Sequence, residues 1–170
     1  IDSAQLVKFI DVMEKSSISD LGSGAGFPGL ILAIYFESKE FHVKLVEKSP
    51  VKRAFLELIA KQLGLKVEIL DNAYVKNVSA DIIVCRAFKK LEEIIKISRE
   101  IVKKPHNLLI LKGKDAQAEI NSLSLGENYS YKLEKSITYD FNLRSAIFIG
   151  FFQILSLIPG VSRSGIAITA

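Results

Sequence analysis

Apolar positions along this chain follow two patterns, short unbroken runs and longer stretches with an apolar residue every three or four positions. The runs predict buried β-strands, and the longer stretches predict amphipathic helices. Predicted strands cover 17–21, 42–47, 66–70, 80–85, 107–112 and 129–137. Predicted helices cover 2–14, 29–37, 50–64, 91–103 and 116–123. Because strands and helices alternate, the pattern predicts an α/β fold with a mostly parallel, doubly wound sheet.

The connection between the first predicted strand and the second predicted helix has an unusual composition. It reads SDLGSGAGFPG over residues 19–29 and contains the glycines Gly22, Gly24, Gly26 and Gly29. Glycine allows a backbone with positive φ and lets a ligand lie directly against the main chain. The helix that follows offers unpaired N–H groups at its N-terminus. The pattern therefore predicts a cradle for a small molecule.

Two acidic residues end neighbouring strands of the predicted sheet, Asp20 before the glycines and Glu47 after the second strand. Parallel strands bring their carboxyl ends to one edge, where ligands of such sheets bind. Glu47 follows Gly22 by about 25 residues, near the spacing at which an acid binds the ribose of a nucleoside ligand. The run from Gly24 to Gly29 also spells GxGxxG, so a dinucleotide site and a purely structural turn are alternatives. Asp20 favours a cationic nucleoside sulfonium, because a carboxylate attracts a cation and repels a pyrophosphate.

Composition narrows the class of protein. With 170 residues, 49% of them hydrophobic, the chain is long and apolar enough to form a domain with a core. Its net charge of +4 suits an anionic partner. Cys85 is the single cysteine, which excludes an internal disulfide, and its apolar strand predicts a buried structural thiol rather than a nucleophile. Because His42 and His106 share no ligand spacing with Cys85, no metal site is expected.

Four segments carry a resemblance to a known family. They read DLGSGAGFPGLILAI, LVEKSPVKRAFLELIAKQLGL, ADIIVCRAF and LLILKGK. Together they resemble the bacterial small-subunit ribosomal RNA guanine-N7 methyltransferases, also called the glucose-inhibited division protein B family. The resemblance covers about residues 1–137. It implies a Rossmann-like class I methyltransferase that uses S-adenosyl-L-methionine and modifies small-subunit ribosomal RNA.

The resemblance also implies a set of site residues. The glycine turn would contact the cofactor, Glu47 would hold its ribose, and the stretch after the third strand would pass its adenine. That stretch reads Ala73-Tyr74-Val75 where the family has an Arg-x-Glu pattern, so backbone contacts are expected there. The implied catalytic residues are Arg86, at the active-site edge of the cofactor, and Lys112, facing the substrate. The implied cofactor-binding residues are Asp20, Gly22, Gly24, Gly26, Phe27, Glu47, Asn72, Ala73, Tyr74, Val75 and Arg86.

Both implied catalytic residues have structural alternatives. Arg86 could instead pair with Asp20 or Asp81, and Lys112 could be a solvated strand terminus. Methylation at N7 of guanine requires no general base from the protein, because N7 carries a lone pair and no proton. The enzyme would need to align N7, the methyl carbon and the sulfur, which is catalysis by positioning.

The last part of the chain resembles a different family. Residues 145–162 carry no charge, and LIPGVSRSG ends this region. This segment resembles bacterial undecaprenyl-diphosphate phosphatases, which are integral membrane enzymes. Ser162, Arg163 and Ser164 match the positions that act at a diphosphate in that family, and a guanidinium suits a phosphate ligand.

The two resemblances predict a gene fusion, with a methyltransferase domain over 1–137 and an apolar, membrane-associated segment over 138–170. The chain begins at Ile1, without the family's preceding N-terminal segment, so loss of activity through truncation is one expectation. The main expectation is a cytoplasmic, monomeric methyltransferase that acts on small-subunit ribosomal RNA or the assembled subunit. The alternatives are a membrane-associated phosphatase remnant and a non-catalytic S-adenosylmethionine-binding domain.

Overall fold

A computed structural model of the chain describes residues 2–11, 16–37, 41–74, 78, 80–123 and 129–135. All of them lie in Ile1–Ser136, the first of two compact units. The strands are β1 (Ser17–Leu21), β2 (His42–Val46), β3 (Val67–Leu70), β4 (Ile82–Arg86) and β5 (Asn107–Leu111). The helices are α1 (Asp2–Gln5, continued by a 3₁₀ turn over Leu6–Phe9), α2 (Gly29–Tyr35), α3 (Pro50–Leu63), α4 (Leu91–Ile101) and α5 (Ala116–Asn121).

The described strands form one parallel sheet in the order β3-β2-β1-β4-β5. From β1 the chain winds outward through β2 and β3, then returns to the other side of β1 with β4. The change of direction between β1 and β4 creates a crevice at their carboxyl ends, where ligands of open α/β sheets bind. The predicted parallel, doubly wound α/β fold is therefore confirmed.

The central strands are buried on both faces, which explains their unbroken apolar runs. Ile18 and Val84 pack with Leu32 and Phe36 on the face covered by α2. Side chains alternate along a strand, so the intervening residues of β4 point to the opposite face. There Ile83 and Cys85 pack with Ile94 of α4 in a second cluster.

Helix α3 begins and ends at residues suited to those positions. Ser49 precedes it and its side-chain oxygen accepts a hydrogen bond from the N–H of Lys52, at 3.5 Å. Pro50 occupies the first turn, where its missing N–H costs nothing. Gly64 follows the helix with φ +68°, a left-handed conformation that favours glycine. Local signals thus set both ends of this helix as predicted.

Two predictions from periodicity were wrong in the described residues. The predicted first helix stops at Phe9, and Ile10 is already extended, with φ −108° and ψ 100°. Residues 129–135 form no strand, although a strand was predicted over 129–137. Residues 131–135 are exposed, so their alternating pattern buries no apolar face and a strand there gains nothing from packing.

The apolar segment over 138–170 lies outside the described residues, as do Ser162, Arg163 and Ser164. Among the residues that the structure does describe, no helix is both long enough and apolar enough to cross a membrane.

The packing of α3 predicts different effects at two leucines of the same helix. Leu56 is fully buried, whereas Leu58 is 53% exposed. We expect Leu56→Ala to lower the free energy of unfolding by about 2–5 kcal/mol, because it leaves a cavity. Leu58→Ala should change it by no more than about 0.5 kcal/mol. Urea unfolding followed by circular dichroism measures both, and equal losses would contradict the packing described.

Candidate active site

The glycine turn after β1 is attached to the end of β2. The N–H groups of Gly22 and Ser23 both donate to the carbonyl oxygen of Val46, at 2.9 and 3.0 Å. Within the turn, the N–H of Gly26 donates to the Ser23 carbonyl at 2.7 Å. The φ angles of Gly22 and Gly26 are +74° and +94°, which L side chains rarely adopt. The turn therefore has one defined shape at the carboxyl edge of the sheet.

Glu47 joins this turn to the N-terminus of α3. One carboxylate oxygen accepts the N–H of Gly24 at 2.9 Å, and the other accepts the N–H of Ser49 at 2.9 Å. Burial by itself would raise the pKa of Glu47, but the hydrogen bonds from Ser49 and Gly24 outweigh it and the pKa is lowered. Glu47 is therefore an ionised carboxylate, 8% exposed, at the edge where a ligand would bind.

Asp20 lies beneath the turn and is fully buried. One of its carboxylate oxygens accepts the N–H of Gly29, the first residue of α2, at 3.0 Å. The other has no hydrogen-bond partner among the described residues. Burial raises the pKa of Asp20 to about 7, because the hydrogen bond from Gly29, the Ser23 side chain and the charge of Arg86 together do not offset the loss of water. The structure thus places Asp20 as a support for the turn and α2, with no exposed surface.

Arg86 and Phe27 meet across the crevice. Arg86 ends β4 and is exposed, and Phe27 is 44% exposed on the glycine turn. The guanidinium carbon lies 5.5 Å from the centre of the ring, within range of a cation–π contact. Asp81, one alternative partner of Arg86, instead pairs with Lys104 at 2.5 Å. The structure therefore brings two of the predicted site residues together at the rim of the turn.

The loop after β4 runs beside the same turn. Ala87 has φ +48°, a left-handed conformation that costs a non-glycine residue about 1–2 kcal/mol. Phe88 packs against Gly22 so closely that a Cβ at Gly22 would lie 2.5 Å from the Phe88 ring. Lys112 follows β5 and donates to the carbonyl oxygen of Lys89 at 2.9 Å. It also donates to both carboxylate oxygens of Glu119, at 2.8 and 2.7 Å.

Glu119 had no signal in the sequence, because its partners become neighbours only in the folded sheet. The structure shows Glu119 on α5, where it pairs with Lys112. Lys112 is therefore not a solvated strand terminus, and its side chain is only 18% exposed. Whether Lys112 faces the substrate stays a prediction.

The stretch after β3 reaches the same edge of the sheet. The side-chain oxygen of Asn72 accepts the N–H of Tyr74 at 3.0 Å, which closes a local turn. The hydroxyl of Tyr74 donates to Glu100 of α4 at 3.1 Å. Ala73, between Asn72 and Tyr74 in the chain, is half-buried, and Val75 lies outside the described residues. The predicted adenine contacts stay predictions.

Cys85 is buried in β4 and its thiol is free. Burial raises its pKa to about 12, so the reactive thiolate is scarce at neutral pH. No group of three or more metal-ligating side chains occurs in the part of the chain that the structure describes.

Two family models match the chain. One, described as GidB, rRNA small subunit methyltransferase G, matches residues 1–142. The other, described as BacA, bacitracin resistance protein BacA, matches residues 115–170.

Curated relatives named Ribosomal RNA small subunit methyltransferase G are similar to most of the chain. The one from Orientia tsutsugamushi (strain Ikeda) is 39% identical over 143 residues, which is 82% of this chain and 68% of the relative. The one from Pelagibacter ubique (strain HTCC1062) is 30% identical over 142 residues, 81% of this chain and 66% of the relative. The chain spans about two thirds of the length of these relatives.

Solved structures share the fold. An S-adenosylmethionine-dependent O-methyltransferase from Thermotoga maritima has a TM-score of 0.58 at 21% identity, covering 69% of this chain and 46% of its own. A methyltransferase from Geobacter sulfurreducens in complex with S-adenosyl-L-homocysteine has a TM-score of 0.52 at 19% identity. The match covers 64% of this chain and 46% of that protein. The predicted Rossmann-like class I methyltransferase fold is confirmed.

The close approach of α2 to β1 and β2 predicts that a side chain at Gly29 would be crowded. A Cβ there would lie 2.3 Å from Leu45 and 2.6 Å from the Asp20 carboxylate. We expect Gly29→Ala to lower the free energy of unfolding by about 1–3 kcal/mol through overpacking. Gly113→Ala is the matched control, because a Cβ at Gly113 meets nothing within 4 Å. Chemical unfolding tests the pair, and indistinguishable midpoints would refute the crowding.

The burial of Asp20 predicts a pH dependence of stability. Its pKa rises from 3.8 to about 7 on folding, so between these values the folded protein binds a proton that the unfolded chain has released. The free energy of unfolding therefore loses this contribution as pH rises toward 7. We expect Asp20→Asn to flatten the decline measured by urea unfolding between about pH 4 and pH 7.

Asp71→Asn is the control for this substitution, because Asp71 is exposed. It should retain the decline of the unsubstituted protein. A decline as steep in Asp20→Asn as in the control would contradict the assignment to Asp20.

Proposed function

We propose that this chain, which belongs to the GidB family of rRNA small subunit methyltransferase G, binds S-adenosyl-L-methionine at the glycine turn and methylates N7 of a guanine in small-subunit ribosomal RNA. The observation that carries the proposal is the position of Glu47. This ionised carboxylate lies beside the glycine turn, at the end of the strand next to β1. A nucleoside with two free ribose hydroxyls suits such a group.

The carboxylate of Glu47 has acceptor capacity left for a ribose. Each of its oxygens accepts one backbone N–H, and a carboxylate oxygen has a second lone pair. Two neighbouring hydroxyls could donate to these oxygens, one to each. The backbone bonds hold the carboxylate in place before a ligand arrives, so little side-chain freedom is lost on binding.

The turn has room for a ligand at Gly24. A Cβ at Gly24 would meet nothing closer than the carbonyl oxygen of Gly22, at 3.8 Å. The far side of Gly22 is instead covered by Phe88. These two observations support a ligand that passes over Gly24, between Glu47 and Arg86. Gly22, Gly26 and Phe27 then shape its binding surface, while Asp20 supports the turn from below.

The chemistry would need alignment more than proton transfer. When bound, S-adenosyl-L-methionine supplies a methyl group that the N7 lone pair of guanine attacks as the carbon–sulfur bond breaks, its electrons passing to sulfur. Because N7 holds no proton, the chain needs no general base. Arg86 and Phe27, in contact at the rim, would border the space where the base approaches and help to align it.

An RNA partner suits the charge of the chain. The net charge is +4, and Lys48 and Lys52 are exposed beside Glu47. Such side chains bind phosphates without reading sequence. Arg53 is less free to do so, because its guanidinium donates to the carbonyl oxygens of Glu47 and Lys48 at 3.0 and 2.7 Å. We propose a monomer acting in the cytoplasm on ribosomal RNA or the assembled subunit.

We propose that the methyltransferase occupies residues 1–137 and that 138–170 is a segment of separate origin. Two family matches, over 1–142 and 115–170, support this division, and the stretch they share contains the proposed junction. The phosphatase-like segment carries no part of the methyl-transfer proposal.

If Glu47 binds the ribose of the cofactor, substitution of Glu47 should lower the affinity for S-adenosyl-L-methionine. In Glu47→Gln the side-chain nitrogen would face a backbone N–H donor in either orientation, since both carboxylate oxygens accept one. We expect affinity for S-adenosyl-L-methionine to fall at least tenfold, measured by isothermal titration calorimetry. Glu57→Gln, at an exposed position of α3, should bind as the unsubstituted chain does. Absence of binding by the unsubstituted chain at high micromolar ligand would refute the proposed cofactor.

Methyl transfer predicts a dependence on Arg86. We expect Arg86→Ala to slow transfer of labelled methyl groups to unmodified small ribosomal subunits by roughly a hundredfold, because the rim of the site loses its alignment. Lys66→Ala is the control, because Lys66 is exposed just before β3, at the opposite edge of the sheet. Mapping the product identifies the modified atom, and a methyl group anywhere but N7 would correct the proposed specificity.

A further inference from the structure

Lys112 and Glu119 bind the loop after β4 at two backbone atoms. The ammonium of Lys112 donates to the carbonyl oxygen of Lys89 at 2.9 Å. The carboxylate of Glu119 accepts the N–H of Leu91, the first residue of α4, at 2.7 Å. The residue before α4, Lys90, makes no side-chain capping bond, so Glu119 supplies the cap from a different helix.

The pair is itself closely joined. Lys112 donates to both carboxylate oxygens of Glu119, and the two side chains are only 18% and 31% exposed. An ammonium has three N–H donors, and these have three oxygen acceptors within 2.9 Å. A contact between Lys112 and a substrate would therefore have to replace one of these bonds.

The bound loop carries the residues that border the glycine turn. Arg86 at its start lies over the ring of Phe27, and Phe88 packs against Gly22. Between them Ala87 has φ +48°, a conformation that persists only when its surroundings hold it. The two backbone bonds to Lys89 and Leu91, one and three residues beyond Phe88, are such a restraint.

We propose that Lys112 and Glu119 act as a positioning pair that holds the loop over 87–90, and through it Arg86 and Phe88, in place at the glycine turn. Neither residue needs to touch the reacting atoms. The dependence of methyl transfer on the pair rests on the proposed function, whereas the restraint of the loop does not.

Hydrogen exchange tests the restraint without reference to activity. In Glu119→Gln one side-chain oxygen becomes an NH₂ donor that faces the Lys112 ammonium, so the pair loses a hydrogen bond and its charge attraction. We expect the backbone amides of residues 87–91 to exchange at least tenfold faster, measured by mass spectrometry on the full chain. Gln117→Ala, an exposed change on the same helix, should leave the exchange unaltered. Unchanged exchange in Glu119→Gln would overturn the proposal.

A double-mutant cycle tests the effect on transfer. We expect Lys112→Met and Glu119→Gln each to lower kcat at least tenfold, with cofactor affinity lowered by a smaller factor because Glu47 is untouched. The double variant should be no slower than the slower single variant, since both act through one loop. Additive losses, or a loss in Lys112→Met alone, would overturn the positioning role and favour Lys112 at the substrate.

A general loss of folding would give a different pattern. Each rate is therefore measured at a temperature well below the unfolding temperature of that variant. Under this condition a variant that is only destabilised is fully folded and has the kcat of the unsubstituted protein. A normal kcat in the single variants would therefore overturn the proposal. Glu119→Asp keeps the charge, and it should recover part of both the exchange protection and kcat. If the unsubstituted chain transfers no methyl group, the proposed function fails, and hydrogen exchange alone decides whether the pair restrains the loop.

Discussion

The carboxylate of Glu47 connects the parts of the molecule on which the candidate site depends. Its two oxygens accept N–H groups from Gly24 in the glycine turn and from Ser49 at the start of α3. The same turn is attached to the preceding residue, Val46, through two more backbone bonds. A backbone with several positive φ values has few internal restraints, so its shape depends on these bonds to β2. Any ligand bound along the turn would meet a surface that is already formed.

Asp20 and Glu47 show how two acids on adjacent strands come to differ. Both are buried, but Glu47 accepts two backbone N–H groups whereas Asp20 accepts one and leaves its second oxygen without a partner among the described residues. Their pKa values accordingly move in opposite directions. Glu47 keeps its charge at the edge of the site, and Asp20 supports α2 from inside the core. Asp20 lies deeper in the core and accepts fewer N–H groups, and together these two differences separate the two roles.

Periodicity predicted the fold where burial and propensity act together. The unbroken apolar runs of β1 and β4 have two covered faces, and Pro50 and Gly64 mark the ends of α3 by local geometry. It failed where a pattern had no partner to pack against, over 129–135. It also overextended the first helix, because helical spacing continues past the residue at which the backbone becomes extended. Apolar spacing reports which face could be buried, and tertiary contacts decide whether it is.

By itself the sequence determined the strand, the glycine turn and the helix that follow one another over 17–35, because these depend on residues adjacent in the chain. It also placed Asp20 and Glu47 at one edge, because parallel strands align their carboxyl ends. Only the tertiary structure decided that Arg86 lies over Phe27 and that Lys112 pairs with Glu119 at the start of α4. These contacts join residues from separate elements, and no spacing along the chain specifies which side chains the packed helices bring within hydrogen-bonding distance.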